Sequence, residues 1–308
     1  MRIIFMGTPD YGVPSLEALL RAGHEVVGVF TQPDKPSGRG KKTQFSPVKA
    51  CALAHGIPVF QPLKIRVDGV EPLRRLQPDL CVTAAFGQIL SQEVLDIPRL
   101  GTVNVHASLL PAYRGSSPVV WCLLNGEKRT GVTTMLTDKG IDTGDILLQE
   151  GVDILPEDNA GTLTDKLAHV GAQLLVETLR RMEAGDCPRQ KQDESKMSYY
   201  PMLKKEMGRL DFTRSTMQLL CQMRAFDPWP CAVFTVGGET FKAFRGAPAA
   251  GREGAAPGTI LTADGKTGLV IATGDGAVRI DEMQASGGKR IRAADYLRGH
   301  QLTGDQAE

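Results

Sequence analysis

The first half of the chain alternates short apolar runs with short segments of helical spacing, and this pattern constrains the fold more than any other feature. RIIFMG (2–7) is an apolar run ending in glycine. Leu16, Leu19 and Leu20 then recur at helical intervals between Ser15 and Arg21, and HEVVGVFT (24–31) is strand-like again. The alternation continues through PVKACALAHG, IPVF, VEPLRRLQ, DLCVTAAF (79–86), TVNVHAS (102–108) and PVVWCLLNG (118–126). Near-continuous apolar strands separated by short helices predict an α/β domain whose mostly parallel sheet is covered on both faces. GVTTMLTD (131–138) and DILLQEGVDI (145–154) predict a strand pair around the turn KGIDTG. Leu163, Leu167, Val170, Leu174, Leu175 and Leu179 mark one face of a long amphipathic helix from Thr162 to Ala184.

At Gly185 the texture changes. GDCPRQKQDESKMSYYPMLKKE is polar and weakly periodic, which predicts a linker over 185–205 between a first domain at 1–184 and a second at 206–308. In the second domain a helix is expected from Ser215 to Phe226. Short β-runs follow, CAVFTV, ETFKAFR, GTILTA, GLVIAT and AVRIDEM, separated by glycines and polar turns. Such spacing predicts a small β-barrel or sandwich.

Several function classes are disfavoured. No stretch approaches the roughly 20 apolar residues of a membrane span. The N-terminal MRIIFMGTPD lacks the apolar core of a signal peptide, so a cytoplasmic location is expected. Cys51, Cys81, Cys122, Cys187, Cys221 and Cys231 show no CxxC pair, and no metal site is expected. The run from Gly7 to Gly12 has Pro9 where a dinucleotide fingerprint needs a close-approach glycine, and no P-loop, GxSxG elbow or HExxH occurs. Formal net charge is only +1, yet Lys35, Arg39, Lys41, Lys42 and Lys49 share one segment with a single acid, Asp34. Lys289, Arg290 and Arg292 form a second cluster. Either cluster suits phosphate contacts or an ordinary solvated loop.

Polar groups converge at VNVHASLLPAYRG (103–115). Asn104 and His106 are two apart, so on a strand they share a face, leaving Val103 and Val105 for the core. They lie at the carboxyl end of a central strand, where open α/β sheets bind ligands. Asp142 follows in a glycine-flanked loop. An imidazole that exchanges protons needs a carboxylate to orient it, and an amide beside it can donate to a developing oxyanion. The trio suits attack on a carbonyl without a metal. Singly, each residue also has a structural reading: a satisfied strand-end histidine, an Asp capping a turn, and Ser108 and Arg114 as loop hydrogen-bonders.

The run NVHxSLLPxxRG with its following acidic loop resembles the signature of formyltransferases that use 10-formyltetrahydrofolate. FMGTPD (5–10), TQPDKPSGRGKK (31–42), SPVK (46–49), RAFDPWP (224–230) and PGTI (257–260) narrow the resemblance to the branch acting on methionyl initiator tRNA, over nearly the whole chain. The resemblance implies a Rossmann-like formyltransferase domain followed by an OB-like barrel. It implies catalytic roles for Asn104, His106 and Asp142. Ser108, Leu109, Leu110 and Pro111 would lie against the folate, and Phe86, Gly87, Gln88, Ile89 and Leu90 would line the pterin pocket largely through backbone. Arg39, Lys41 and Lys42 would contact the acceptor stem, and Lys204, Lys205, Lys289, Arg290 and Arg292 could extend a basic channel. A monomer is expected. Two positions depart from the family pattern: Ala112 stands where many members carry a basic residue, and Phe86 where a Tyr is common. Relatives with the same catalytic domain that act on glycinamide ribonucleotide or an amino-sugar nucleotide remain rivals. The glycinamide enzyme, however, needs neither the barrel nor the basic loop.

Overall fold

The structure is a computed structural model describing residues 1–37 and 42–308, and it divides into two compact units. Arg39, Lys41 and the side chain of Lys42 lie outside what the structure describes. The first unit comprises residues 1–118, 129–153 and 164–200. The second comprises 119–128, 154–163 and 201–308.

The first unit is built on β1 (Arg2–Gly7), β2 (Glu25–Phe30), β3 (Lys35–Ser37), β4 (Lys42–Gln44), β5 (Val59–Phe60), β6 (Leu80–Ala84), β7 (Thr102–His106), β8 (Arg114–Gly115), β9 (Arg129–Leu136), β10 (Ile146–Asp153) and β11 (Tyr199–Tyr200). Its helices are α1 (Val13–Arg21), α2 (Pro47–Ala54), α3 (Ile65–Asp68), α4 (Val70–Leu76) and α5 (Gln92–Leu95). The central sheet runs β10-β9-β7-β6-β1-β2-β5. Pairing is parallel from β5 to β7, whereas β9 is antiparallel to β7 and β10 to β9. Every residue of β6 is buried, as is all of β1 after Arg2, which is why these strands read as unbroken apolar runs. On one face Ile4, Met6, Phe30 and Cys81 pack with Val70, Leu73 and Val94 of the helices. Val103 and Val105 of β7 are buried as expected. The long helix α7 (Ala160–Ala184, with α6, Pro118–Leu124, before it) presents Gly171 to this sheet. A Cβ there would come within 2.8 Å of a Val105 methyl, so the close approach needs glycine. Buried Thr178 of α7 shares a 2.8 Å hydrogen bond with Thr134 of β9.

Of residues 185–205, expected as a linker, 185–200 belong to the first unit and 201–205 to the second. Gln190 bridges to Ile146, and β11 pairs in parallel with β8. Gln192, Glu194 and Ser198 bond to loops of the sheet, whereas most other polar side chains of the segment are exposed, a difference that composition does not show.

The second unit holds α8 (Thr216–Ala225) and β12 (Ala232–Val236), β13 (Glu239–Ala249), β14 (Ile260–Asp264), β15 (Gly268–Ala272), β16 (Ala277–Ala285) and β17 (Ile291–Arg292), then α9 (Ala293–Gly299). Its antiparallel sheet runs β12-β13-β16-β15-β14, with β17 on β16. Residues 305–308 bond one side to Thr235 and the other to Gly258 and Ile260, tying together the two edges of the sheet. This covers both open edges with backbone partners. Phe234, Phe241, Ile271, Ile280 and Met283 fill the interior. Ser215 caps α8 reciprocally with Gln218. The short helix α9 departs from the run of β-strands expected after α8. Its anchoring comes from Ala293, wholly buried, and from Tyr296, edge-on to Phe241.

Candidate active site

Strand β7 lies between β6 and β9, and its last residue places His106 at the carboxyl edge of the sheet. His106 Nε2 lies 3.0 Å from the Tyr113 carbonyl oxygen. A carbonyl only accepts, so Nε2 carries a proton and Nδ1 is the nitrogen left available to exchange one. Nδ1 faces Asp142 Oδ1 at 3.7 Å. Asn104 is oriented by its neighbour in the sheet: Thr83 Oγ1 donates to Asn104 Oδ1 at 3.0 Å, which turns Nδ2 toward Asp142 Oδ1 at 3.5 Å. The other carboxylate oxygen, Oδ2, accepts the Gly115 N–H at 2.8 Å. Asp142 is in the left-handed backbone region, φ 55°. His106 is 7% and Asp142 16% exposed, so the charge sits at the lip of the protein where surrounding dipoles are fixed. The three side chains thus converge on one point, at separations longer than tight hydrogen bonds.

Residues around the trio fall into three groups. The 108–111 loop is stapled from below. Thr133 Oγ1 donates to the Ser108 carbonyl and accepts from Leu110 N–H, while Gln149 donates to the Leu110 carbonyl at 2.8 Å. The Ser108 hydroxyl is fully buried and donates to the Ala112 carbonyl at 2.7 Å, which shapes the loop. Leu110 is buried, Leu109 is partly exposed, and a Cβ on Gly131 would meet Leu109 at 2.6 Å. Pro111 accepts from Ser198 N–H.

The second group follows β6. Phe86 and Leu90 are buried in the core, Gly87 has φ 80°, and Ile89 is exposed. Gln88 spans α3, accepting from Ile65 N–H at 2.6 Å and donating to the Pro62 carbonyl at 3.0 Å. The carbonyls of Phe86 and Gly87 are fixed by Gln32 Nε2, and Phe86 also by Thr8 Oγ1. Burial of Phe86 leaves its backbone, not its ring, as the part of the residue that a ligand could meet.

The third group is basic. Of the residues singled out in the sequence, Lys49 bonds Asp34 at 2.5 Å and Gln61 at 2.7 Å, and stacks over Phe45. Hydrogen bonds from Lys49 and then from Gln61 hold the Asp34 carboxyl below the usual carboxylate range. Lys204 and Lys205 are exposed, as is Lys289. Arg290 is committed instead to Asp227, Glu282 and the face of Phe244, and Arg292 pairs with Asp295. Their basic cluster is therefore in large part internal charge pairing in the second unit. Among the described residues no group of His, Cys, Asp or Glu could hold a metal, and no helix is long and apolar enough to cross a membrane.

Sequence reasoning missed the supports of the trio: Thr83, the Tyr113 carbonyl, Gly115, and three residues of the 186–200 segment. Gln192 donates to the carbonyls of Asp142 and Gly144, both at 2.8 Å. Buried Arg114 donates to Gln192 Oε1 and to Glu194, holding the Glu194 carboxyl below its usual range. Ser198 Oγ accepts from Tyr113 N–H at 2.9 Å. Thr83 was legible, being a polar residue in an otherwise apolar strand.

Comparison with known proteins bears on what this arrangement does. Residues 1–179 match the family described as formyl transferase, and residues 202–301 the formyl transferase C-terminal domain. Methionyl-tRNA formyltransferase of Geobacter sulfurreducens is 49% identical over 303 residues, 98% of this chain and 95% of that one. That of Agathobacter rectalis is 46% identical over 300 residues, 97% and 96% of the two chains. Among solved structures, the methionyl-tRNA formyltransferase of Clostridium thermocellum shares the fold with a TM-score of 0.56 at 15% identity, over 81% of this chain and 94% of that one. An N-formyltransferase of Helicobacter canadensis, solved with folinic acid and dTDP-3-aminofucose, does so at 0.67 and 19%, over 94% and 100%.

Proposed function

The chain belongs to the formyl transferase family, and we propose that it moves the formyl group of 10-formyltetrahydrofolate to the α-amine of methionine on initiator tRNA. The product would be N-formylmethionyl-tRNA for translation initiation. The observation that carries the reading is the convergence of Asn104 Nδ2, His106 Nδ1 and Asp142 Oδ1 at one strand end. Whole-length similarity to methionyl-tRNA formyltransferases, rather than to the catalytic domain alone, supports this acceptor.

The amine nitrogen attacks the formyl carbon, and the carbonyl oxygen becomes an oxyanion. Asn104 Nδ2 and a protonated His106 Nδ1 donate to it, each such donor contributing about 2.7–4 kcal/mol of transition-state stabilisation. Asp142 orients the imidazole and accepts the proton released by the amine, directly or through water. Collapse breaks the bond to folate N10, and that proton ends on N10. Nothing is left covalently on the protein. The 108–111 loop and the Phe86–Leu90 turn would flank the folate, the latter through the carbonyls and N–H groups that Gln32 and Gly87 hold in place. Arg39, Lys41 and Lys42 would hold phosphates of the acceptor stem. The protein would act as a monomer in the cytoplasm.

The test is formyl transfer from 10-formyltetrahydrofolate to charged initiator and elongator methionyl-tRNA in parallel. Product is expected with the initiator, and much less with the elongator. No product with initiator tRNA would refute the assignment.

A further inference from the structure

The segment 190–200 makes bonds that a connecting strap has no reason to make. It reaches both halves of the proton-handling pair, and it does so at two residues in the left-handed backbone region. Asp142 and Tyr113 have φ 55° and 62°, a region that non-glycine residues occupy at a cost of about 1–2 kcal/mol and keep only where surroundings over-determine them. Tyr113 supplies the carbonyl that fixes His106 Nε2, and its own N–H is held by Ser198 Oγ. Asp142 supplies the carboxylate, and its carbonyl is held by Gln192.

Gln192 has no freedom in how it is used. Both hydrogens of its amide go to the acidic loop, one to the Asp142 carbonyl and one to Gly144, so the two bonds bracket the turn. Its Oε1 accepts from Arg114 Nε at 3.0 Å and Nη2 at 2.9 Å. Turning the amide over would set its oxygen against two carbonyls and its NH2 against a guanidinium, so the network fixes the orientation. Arg114 is 3% exposed and is in turn forked onto Glu194. The residue after Arg114 is Gly115, whose N–H holds Asp142 Oδ2. Thus the carboxylate and the carbonyl of Asp142 are anchored from two adjacent points, one covalently next to Arg114 and one hydrogen-bonded to it.

We propose that Gln192 is a positioning residue for the transfer step: locked by Arg114, its amide clamps the Asp142 turn so that the carboxylate faces His106 and Asn104. This rests on the functional reading above and extends it to a residue outside the trio. Gln192 touches no reacting atom in this account. Its effect passes through the aim of Asp142, and a displacement of about 1 Å at such a group can cost on the order of 100-fold in rate.

The variant Gln192→Glu keeps an acceptor for Arg114 and sets a carboxylate oxygen against the carbonyls of Asp142 and Gly144. Gln192→Met keeps the length and removes both donors. In each, kcat for formyl transfer to initiator methionyl-tRNA is expected to fall on the order of 10- to 100-fold. KM for folate and for tRNA should stay within about twofold, because ground-state contacts are untouched. The pH dependence of kcat should also shift, since the pair that handles the proton has been re-aimed. Unchanged kcat in either folded variant overturns the proposal. So does a loss of kcat with the wild-type pH profile, or failure of both variants to fold, since each of these makes Gln192 merely structural. Wild-type transfer to initiator tRNA, run alongside, separates the two readings: its absence refutes the function, whereas its presence with fully active variants refutes only the clamp.

Discussion

Replacing Asp142 by Asn removes one charge and almost no volume, and the geometry determines what the new amide must do. Gly115 N–H needs an acceptor at the Oδ2 position, 2.8 Å away. Satisfying it puts the amide NH2 at the Oδ1 position, 3.5 Å from Asn104 Nδ2 and 3.7 Å from His106 Nδ1. There it opposes one donor and presents a hydrogen to the nitrogen that has to carry a proton itself. The flipped amide sets NH2 against the Gly115 N–H instead, so neither orientation serves the site. The lost charge adds to this. Opposite unit charges at the His106–Asp142 separation attract by about 4.5 kcal/mol at an effective dielectric constant near 20. The lip position and the long contact bring that down to about 3–4 kcal/mol in the transition state, which is roughly 10²- to 10³-fold in rate. The assay is single-turnover formyl transfer at saturating folate and tRNA, with folate affinity and thermal midpoint measured on the same preparation. Folate affinity and midpoint should barely move. A rate within about tenfold of wild type would refute the charge argument, since tenfold is only 1.4 kcal/mol. A loss matched by weaker folate binding would make Asp142 a pocket residue rather than a partner of His106.

Three further perturbations test the surroundings. Arg290→Met strips the guanidinium from Asp227, whose side chain is 6% exposed and among the described residues keeps the Asn159 amide at 2.8 Å. The second unit should lose about 2–3 kcal/mol in urea unfolding, with most of it recovered by adding Asp227→Asn. Lys49 and Gln61 depress the Asp34 carboxyl, so its stabilising contribution is complete above the unfolded-state value and is lost as pH falls through the lower folded one. The stability difference between wild type and Asp34→Asn should therefore be flat at neutral pH and shrink on acidification below about pH 4, followed by urea midpoints; a difference that grows on acidification contradicts the sign. Gln32→Ala frees the Gly87 carbonyl and leaves that of Phe86 to Thr8 alone, removing two partly exposed bonds of about 1 kcal/mol each. KM for 10-formyltetrahydrofolate should rise about 3- to 10-fold with kcat little changed, and an unaltered KM would detach this network from the folate pocket.

What could be read in advance, and what could not, follows from the range of the interactions involved. Strands such as β6 and β1 are buried on both faces, so their composition alone carries the pattern. Asn104 and His106 were legible because a period of two places them on one face against Val103 and Val105, whose burial follows. Asp142 was legible only as an acid in a glycine-flanked loop. Its distance from His106 is set by a turn, and nothing local in KGIDTG reports where that turn points. The supports are harder still. Gln192 lies 50 residues from Asp142 and 78 from Arg114 in sequence, in a stretch whose polarity suits a linker equally well. A polar residue satisfied by distant backbone carbonyls has the same composition as one satisfied by water, and only the fold distinguishes them. The same ambiguity misleads in the other direction at Arg290, which reads as a basic surface and is spent on Asp227 and Phe244. Hydrophobic periodicity thus locates the strand end proposed to carry the chemistry. The aim of the groups there is set by long-range hydrogen bonds between polar residues, which leave no periodic trace, and Gln192 and Arg114 are where substitution should separate rate from binding.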